Sequence, residues 1–291
     1  MRAERLPDNP IVTPAAHASI GDNLNGPSLI RVPDWAPNPL GRYYLYFAHH
    51  QGTFIRLAYA ERVEGPYRIH APGTLRLAQT GCRGHIASPD AHVDEERREI
   101  RMYFHGPVHG KSGQYSFVAC SRDGLAFEPK AEPLGEPYMR VFRWGGWHYA
   151  LAMSIKDSGV FLRSRNGIEP FERGPAPFIP HMRHNALLLD GDTLRVFYSV
   201  VKQAPEHIVC SALRLTPDWS AWKPAPPASV LKPEMDWEGA DAPHVPSEYG
   251  AIHEPAWQLR DPCVFREGGA TYLLYSVAGE RGLAIARLHL P

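Results

Sequence analysis

Polar residues capable of proton transfer recur beside short apolar runs in this chain, often next to proline. Asn25 stands before Gly-Pro, Asp90 after Ser-Pro, and Arg260-Asp261 before Pro262, each opening an apolar run; Arg140 and the Arg183-His184 pair open two more. A second group closes or follows such runs: His50, His105, Lys156, Glu206 and Glu280. A proline-rich stretch adds Glu238 and Glu254. Carboxyl groups set among arginines and histidines shift one another's pKa, which is what acid–base chemistry requires. Arg140, Arg183 and Arg260 also allow another chemistry, since three guanidinium forks on one anion would suit a carboxylate or phosphate. His50, His105 and His184 raise a metal site, but no HxH or HExxH spacing supports one. Acid–base or ligand-contacting histidines are the preferred reading, and no cofactor or metal is expected.

Such scattered residues meet only if the fold repeats. Five runs are alike: YYLYFAHH (43–50), IRMYFHG (100–106), HYALAMS (148–154), RVFYSV (195–200) and YLLYSV (272–277). A strand precedes each, turn residues such as Gly145-Gly146 and Gly268-Gly269 lie between, and a third strand follows. SRDGLAF (121–127) and SRNGIEPF (164–171) mark turns into a fourth. Four strands repeated five times predict an all-β, five-bladed β-propeller of a single domain. A β-sandwich with coincidental spacing is the alternative. The expected blades are 25–72, 86–130, 136–175, 183–224 and 259–291. The N-terminal segment 9–14 is expected to close the last blade, and an insertion, 224–258, to overhang the funnel. Loops entering the inner strands and loops joining second to third strands share one rim, so the polar residues above gather at one mouth. Their bland reading is a water-filled channel, with Arg260–Asp261 as a structural ion pair.

Composition narrows the class. The 29 prolines among 291 residues argue against long helices. Thirty-one basic side chains balance thirty-one acidic ones, so neither nucleic acid nor a membrane surface is suggested as a partner. No run approaches the roughly 20 apolar residues of a membrane span, and the first residues lack a signal core. Four scattered cysteines without CxxC spacing read as reduced thiols. A cytoplasmic location is expected; oligomeric state is not legible.

RDPCVFREGGATYLLYSVAGERGLAIARL (260–288) resembles the blades of five-bladed propeller glycoside hydrolases, families 32, 43, 62, 68, 117 and 130. HIASPDAHVDEERREIRMYFHG (85–106) is similar to the second-blade pattern of family 43, and 25–48 to its first. The resemblance implies a glycosidase acting on a small glycoside or oligosaccharide through two carboxyl groups, one a general acid and the other activating water or attacking the sugar. Asp261 or Asp90 is then the candidate base, Glu206, Glu254 or Glu238 the candidate acid, and family 117 adds His184. Asn25, His50, His105, the three arginines, Glu238, Glu280 and Trp257 are expected to bind the sugar. The first-blade aspartate of family 43 is missing: Asn25-Gly26 stands there. A phosphorylase or a hydrolase of an anionic sugar, using the arginines, and a non-catalytic carbohydrate-binding propeller are the rival readings.

Overall fold

The computed structural model describes residues 1–154 and 158–290; Lys156 lies outside them. Five four-stranded antiparallel sheets surround a channel as the blades of a propeller. The innermost strands are Asn25–Arg31, Ala87–Asp94, Arg140–Trp144, Met182–Asp190 and Arg260–Glu267. The second strands, such as Tyr43–Ala48, are buried along their length. Each is covered by neighbouring blades on both faces, which is why they read as continuous apolar runs without alternation.

The last blade is closed from the other end of the chain, as expected, but by different residues. Arg2–Arg5 pairs antiparallel with Gly282–His289, from Arg2 opposite His289 to Arg5 opposite Ala286. The expected strand at 9–14 makes one isolated bridge, Val12 to Leu283. Pro10 and Pro14 lack the N–H a ladder needs, whereas Arg2–Arg5 contains no proline. The insertion also begins later than expected. Ala228–Leu231 is the outer strand of the fourth blade, hidden in sequence by the prolines before it.

A bulge opens the inner strands. The ladder passes from Asn25–Ala48 to Ser28–Tyr46, from Ala87–His105 to Asp90–Tyr103, and from Arg260–Ser276 to Cys263–Leu274. In each case two residues oppose one: Gly26-Pro27, Ser88-Pro89 and Asp261-Pro262. The first of each pair has positive φ (56°, 49° and 50°), and Tyr138 takes the same place in the third blade at 61°. Proline is tolerated there because a bulged residue makes no ladder bond.

One step on, side chains stitch blade to blade. Ser28 Oγ accepts the Ala91 N–H (2.9 Å), and Asp90 Oδ2 the Val141 N–H (2.8 Å). Arg140 Nε donates to the Asn185 carbonyl (3.1 Å). The SRDG and SRNG turns lock blades farther out. Ser121 Oγ accepts the Gly124 N–H and Ser164 Oγ the Gly167 N–H. The carbonyls of those glycines accept Tyr46 and Tyr103 hydroxyls from the preceding blades, each at 2.9 Å.

Candidate functional site

All five inner strands run the same way along the channel, so their N-terminal ends share one mouth, here the upper one. Asp261 occupies the bulge of the fifth blade and is wholly buried. Its Oδ1 is in direct contact with His184 Nδ1, and Ser276 Oγ donates to its Oδ2 at 3.1 Å. The positive φ at Asp261 turns its side chain from the ladder to the channel. Burial, then Arg183 and Arg140, push the His184 imidazole well below its ordinary pKa, so it is neutral at pH 7. Tyr138 lies between His184 and His105, with ring centroids 4.5 and 3.9 Å away. Burial lifts the Tyr138 phenol to about 12, so it stays a hydrogen-bond donor. Burial also holds His105 neutral, with help from His85 and His50.

Two glutamates complete the mouth. Glu206 accepts from Arg183 Nε (2.8 Å) and Ser199 Oγ (2.6 Å); Arg260 Nε stands 3.7 Å from its Oε2. Glu280 meets Arg260 Nη1 (3.1 Å), Asn23 Nδ2 and His50 Nδ1 (3.3 Å). Burial works to raise the Glu280 pKa, but His50, Arg260 and Asn23 together hold it down to about 2. Glu280 is therefore a fixed anion and cannot donate a proton. Asn25 supports this corner through Asn23, donating Nδ2 to Asn23 Oδ1 at 2.9 Å.

The arginines do not converge on an empty anion site. Arg183 is bonded to Glu206 and to the Glu248 carbonyl, and Arg260 to Gln258, Glu280 and the Gly250 carbonyl. Arg140 bonds the carbonyls of Ser88, Pro89 and Asn185. Arg260 turns to Glu280 and Gln258, so it is not the ion-pair partner of its neighbour Asp261. Part of the insertion roofs the fourth- and fifth-blade side: the carbonyls of Glu248 and Gly250 accept from arginines, and that of Ile252 from Asn23. His50 and Tyr138 remain partly exposed opposite.

Thus His184, Asp261, Glu206, Glu280, His50, His105, Arg183, Arg260 and Asn25 meet at one mouth, and five other candidates lie elsewhere. Asp90 and Arg140 fall in the stitching ring, two residues beyond the positive-φ positions of Ser88 and Tyr138. Glu254 is exposed on the insertion. Glu238 is buried at the start of the insertion, against the outer part of the fifth blade, bound by Arg5 and Tyr275. Trp257 donates to the Pro233 carbonyl and stacks on His244 at 3.6 Å, fastening the insertion to itself. Asn23, Ser199 and Gln258 were not singled out; uncharged residues of unremarkable sequence context gave no signal. Among the described residues, no group of three or more His, Cys, Asp or Glu is arranged to hold a metal.

At the first blade the bulge position leaves no room for a side chain. Gly26 has φ +56°, and a Cβ there would sit 2.9 Å from Ser88 Cα. The corresponding bulge position of the fifth blade carries Asp261.

No family profile matches the chain. It is 34% identical, over 98% of its length and 89% of the other's, to an uncharacterized protein of Acanthamoeba polyphaga mimivirus. Its fold is that of solved family-43 propellers. A thermostable family-43 glycoside hydrolase superposes with a TM-score of 0.66 at 11% identity, covering 92% of this chain and 90% of the other. A family-43 β-xylosidase/α-arabinofuranosidase from a compost microbial metagenome, complexed with xylotriose, gives 0.67 at 13%, covering 99% and 96%. An exo-1,5-α-L-arabinanase from a bovine ruminal metagenomic library gives 0.63 at 12%, covering 92% and 94%.

Proposed function

We propose that this chain, which belongs to one family with the uncharacterized mimivirus protein, is a glycosidase that hydrolyses a small glycoside at the upper mouth. The observation that carries the reading is the buried contact of Asp261 with His184, beside the Arg183-bound Glu206. Asp261 Oδ1, which lies against His184 Nδ1, would fix the tautomer in which Nε2 is the basic nitrogen of a neutral imidazole. This pair would take the proton of the attacking water. Glu206, whose Oε2 takes no hydrogen bond among the described residues, is the carboxyl for the leaving-group oxygen. Glu280, a fixed anion, would accept sugar hydroxyls, with His50 and Tyr138 at the open side.

The roof over the fourth and fifth blades supports a short substrate entering end-on, not a polymer lying across the ring. The paired state of the arginines favours hydrolysis over phosphorolysis. The solved neighbours' xylo- and arabino-substrates make pentosides the first compounds to test.

The experiment is hydrolysis of a panel of nitrophenyl pentosides and hexosides by the full chain. Wild type should turn over at least one, and Asp261→Asn, His184→Gln and Glu206→Gln should each lose about 10²- to 10⁴-fold in kcat. Full activity in Asp261→Asn, or no turnover of any glycoside by wild type, would overturn the reading.

A further inference from the structure

The opposite, lower mouth opens into a cavity of about 610 Å³ between the C-terminal halves of the inner strands. That volume lies within the about 300–1,000 Å³ usual for small-molecule sites. Aliphatic side chains and Phe265 line part of its walls; Asp90, Arg140, His92 and Trp35 lie among them, and charges of both signs, Arg31, Asp34 and Glu95, are also present.

The stitching ring supplies the key comparison. At equivalent positions, neutral Ser28 does for Ala91 what Asp90 does for Val141: it accepts one N–H. Asp90 uses Oδ2 alone for this, and the same atom meets His92 Nε2 at 2.8 Å. Oδ1 takes no hydrogen bond among the described residues, and the side chain keeps 13% exposure. Arg140 likewise commits Nε and Nη1 to three carbonyls; Nη2 takes no bond among the described residues, although the residue is only 6% exposed. Stitching thus explains half of each side chain. A buried charge is costly, and a serine meets the structural need, so the unspent halves call for another partner.

The floor also restricts what that partner is. Asp90 and Arg140 offset one another, so an ion gains little there. A hydroxyl pair can donate to the carboxylate oxygen and accept from the guanidinium. Trp35 is held at the rim by its Nε1 bond to Glu95 Oε2 (2.7 Å), presenting a flat apolar ring. Flat apolar surface beside paired polar groups matches the C–H face and hydroxyl edge of a sugar. We infer that the lower mouth is a second, non-catalytic binding site for a neutral mono- or disaccharide. It does not depend on the chemistry proposed for the upper mouth.

The test is calorimetric titration of the full chain with xylose, arabinose, glucose and their disaccharides, and with leucine and inorganic phosphate as charged probes. At least one saccharide should bind saturably. Asp90→Ser keeps an N–H acceptor for Val141 but removes the spare oxygen, and should weaken binding tenfold or more. Trp35→Ala should do the same, and carries the test if Asp90→Ser fails to fold. Asp261→Asn, at the other mouth, should leave that affinity within twofold. The inference is overturned if no saccharide binds, if leucine or phosphate binds in its place, or if Asp261→Asn abolishes binding that Asp90→Ser and Trp35→Ala retain.

Discussion

Replacing Glu238 by alanine should loosen the closure of the ring. The carboxylate is fully buried and takes Arg5 Nε and Nη2 (both 2.8 Å), the Tyr275 hydroxyl (3.0 Å) and the N–H groups of Glu234 and Met235 (2.9 and 3.2 Å). It therefore ties together the N-terminal closing strand, the fifth blade and the start of the insertion. Alanine leaves a guanidinium, a phenol and two amides without their acceptor. Breaking a buried pair from one side costs about 3–5 kcal/mol. Arg5 retains 19% side-chain exposure, so water recovers part of the loss, and about 3 kcal/mol is expected. At about 2 °C per kcal/mol for a domain this large, Tm should fall by roughly 6 °C. Glu234 is the internal control. It also bonds Arg5 (3.0 Å) but is 65% exposed, so Glu234→Ala should cost under about 1 kcal/mol. Thermal unfolding followed by circular dichroism reads both. Equal melting of the two variants, or a Glu238→Ala shift below about 2 °C, would refute the closure argument.

Four further outcomes are expected. The folded pKa of Glu280 lies below its ordinary 4.5, so its contribution is complete above that pH and is lost as pH falls toward about 2. From 4.5 to about 2 amounts to about 3 kcal/mol, and urea melts of Glu280→Gln should show a correspondingly flatter acid limb. His184 and His105 are also depressed, so the unfolded chain takes up protons first, and stability should begin to fall as pH drops below 6.5. His105→Gln should reduce the slope just below pH 6.5; an unchanged slope removes that assignment. Gly26→Asp would place a carboxylate where the sequence resemblance to family 43 puts one, yet it should destabilise, because left-handed backbone costs a non-glycine residue about 1–3 kcal/mol before the Ser88 contact is counted. A variant that melts like wild type and gains activity would contradict this. Burial raises the thiols of Cys210 and Cys263 to about 11, so a disulfide reagent at pH 8 should spare both until urea is added. Rapid labelling of either in the native protein, read by peptide mass spectrometry, would count against their placement.

The strands and their order were legible because their signals are local. Apolar runs such as 43–48 and 272–277, bounded by glycine, proline and charged turns, specify strands whatever surrounds them. Their repetition specified the propeller, and the propeller predicted that residues opening inner strands would meet residues leaving second strands. Of the residues grouped on that reasoning, the structure brings together His184, Asp261, Glu206, Glu280 and His50, which lie up to 230 residues apart, and sets Asp90, Arg140, Glu238, Glu254 and Trp257 elsewhere. Proline helped, since Pro27, Pro89 and Pro262 mark three of the bulges.

What remained belonged to register and to distant partners. Asp90 and Asp261 each sit beside a proline in similar strands, but one follows it and the other precedes it. That offset of two residues carries Asp90 out of the mouth and into the stitching ring. Nor does local sequence reveal that Arg5 will find Glu238 across 233 positions, or that Arg2–Arg5, not 9–14, will close the ring. The chain by itself determined most of the strands and the blade count, and it offered a wider set of candidates for the upper mouth than the structure gathers there. Only the tertiary structure decided which of them meet, because a charged side chain is defined by the partners that desolvate and neutralise it, and those come from other blades.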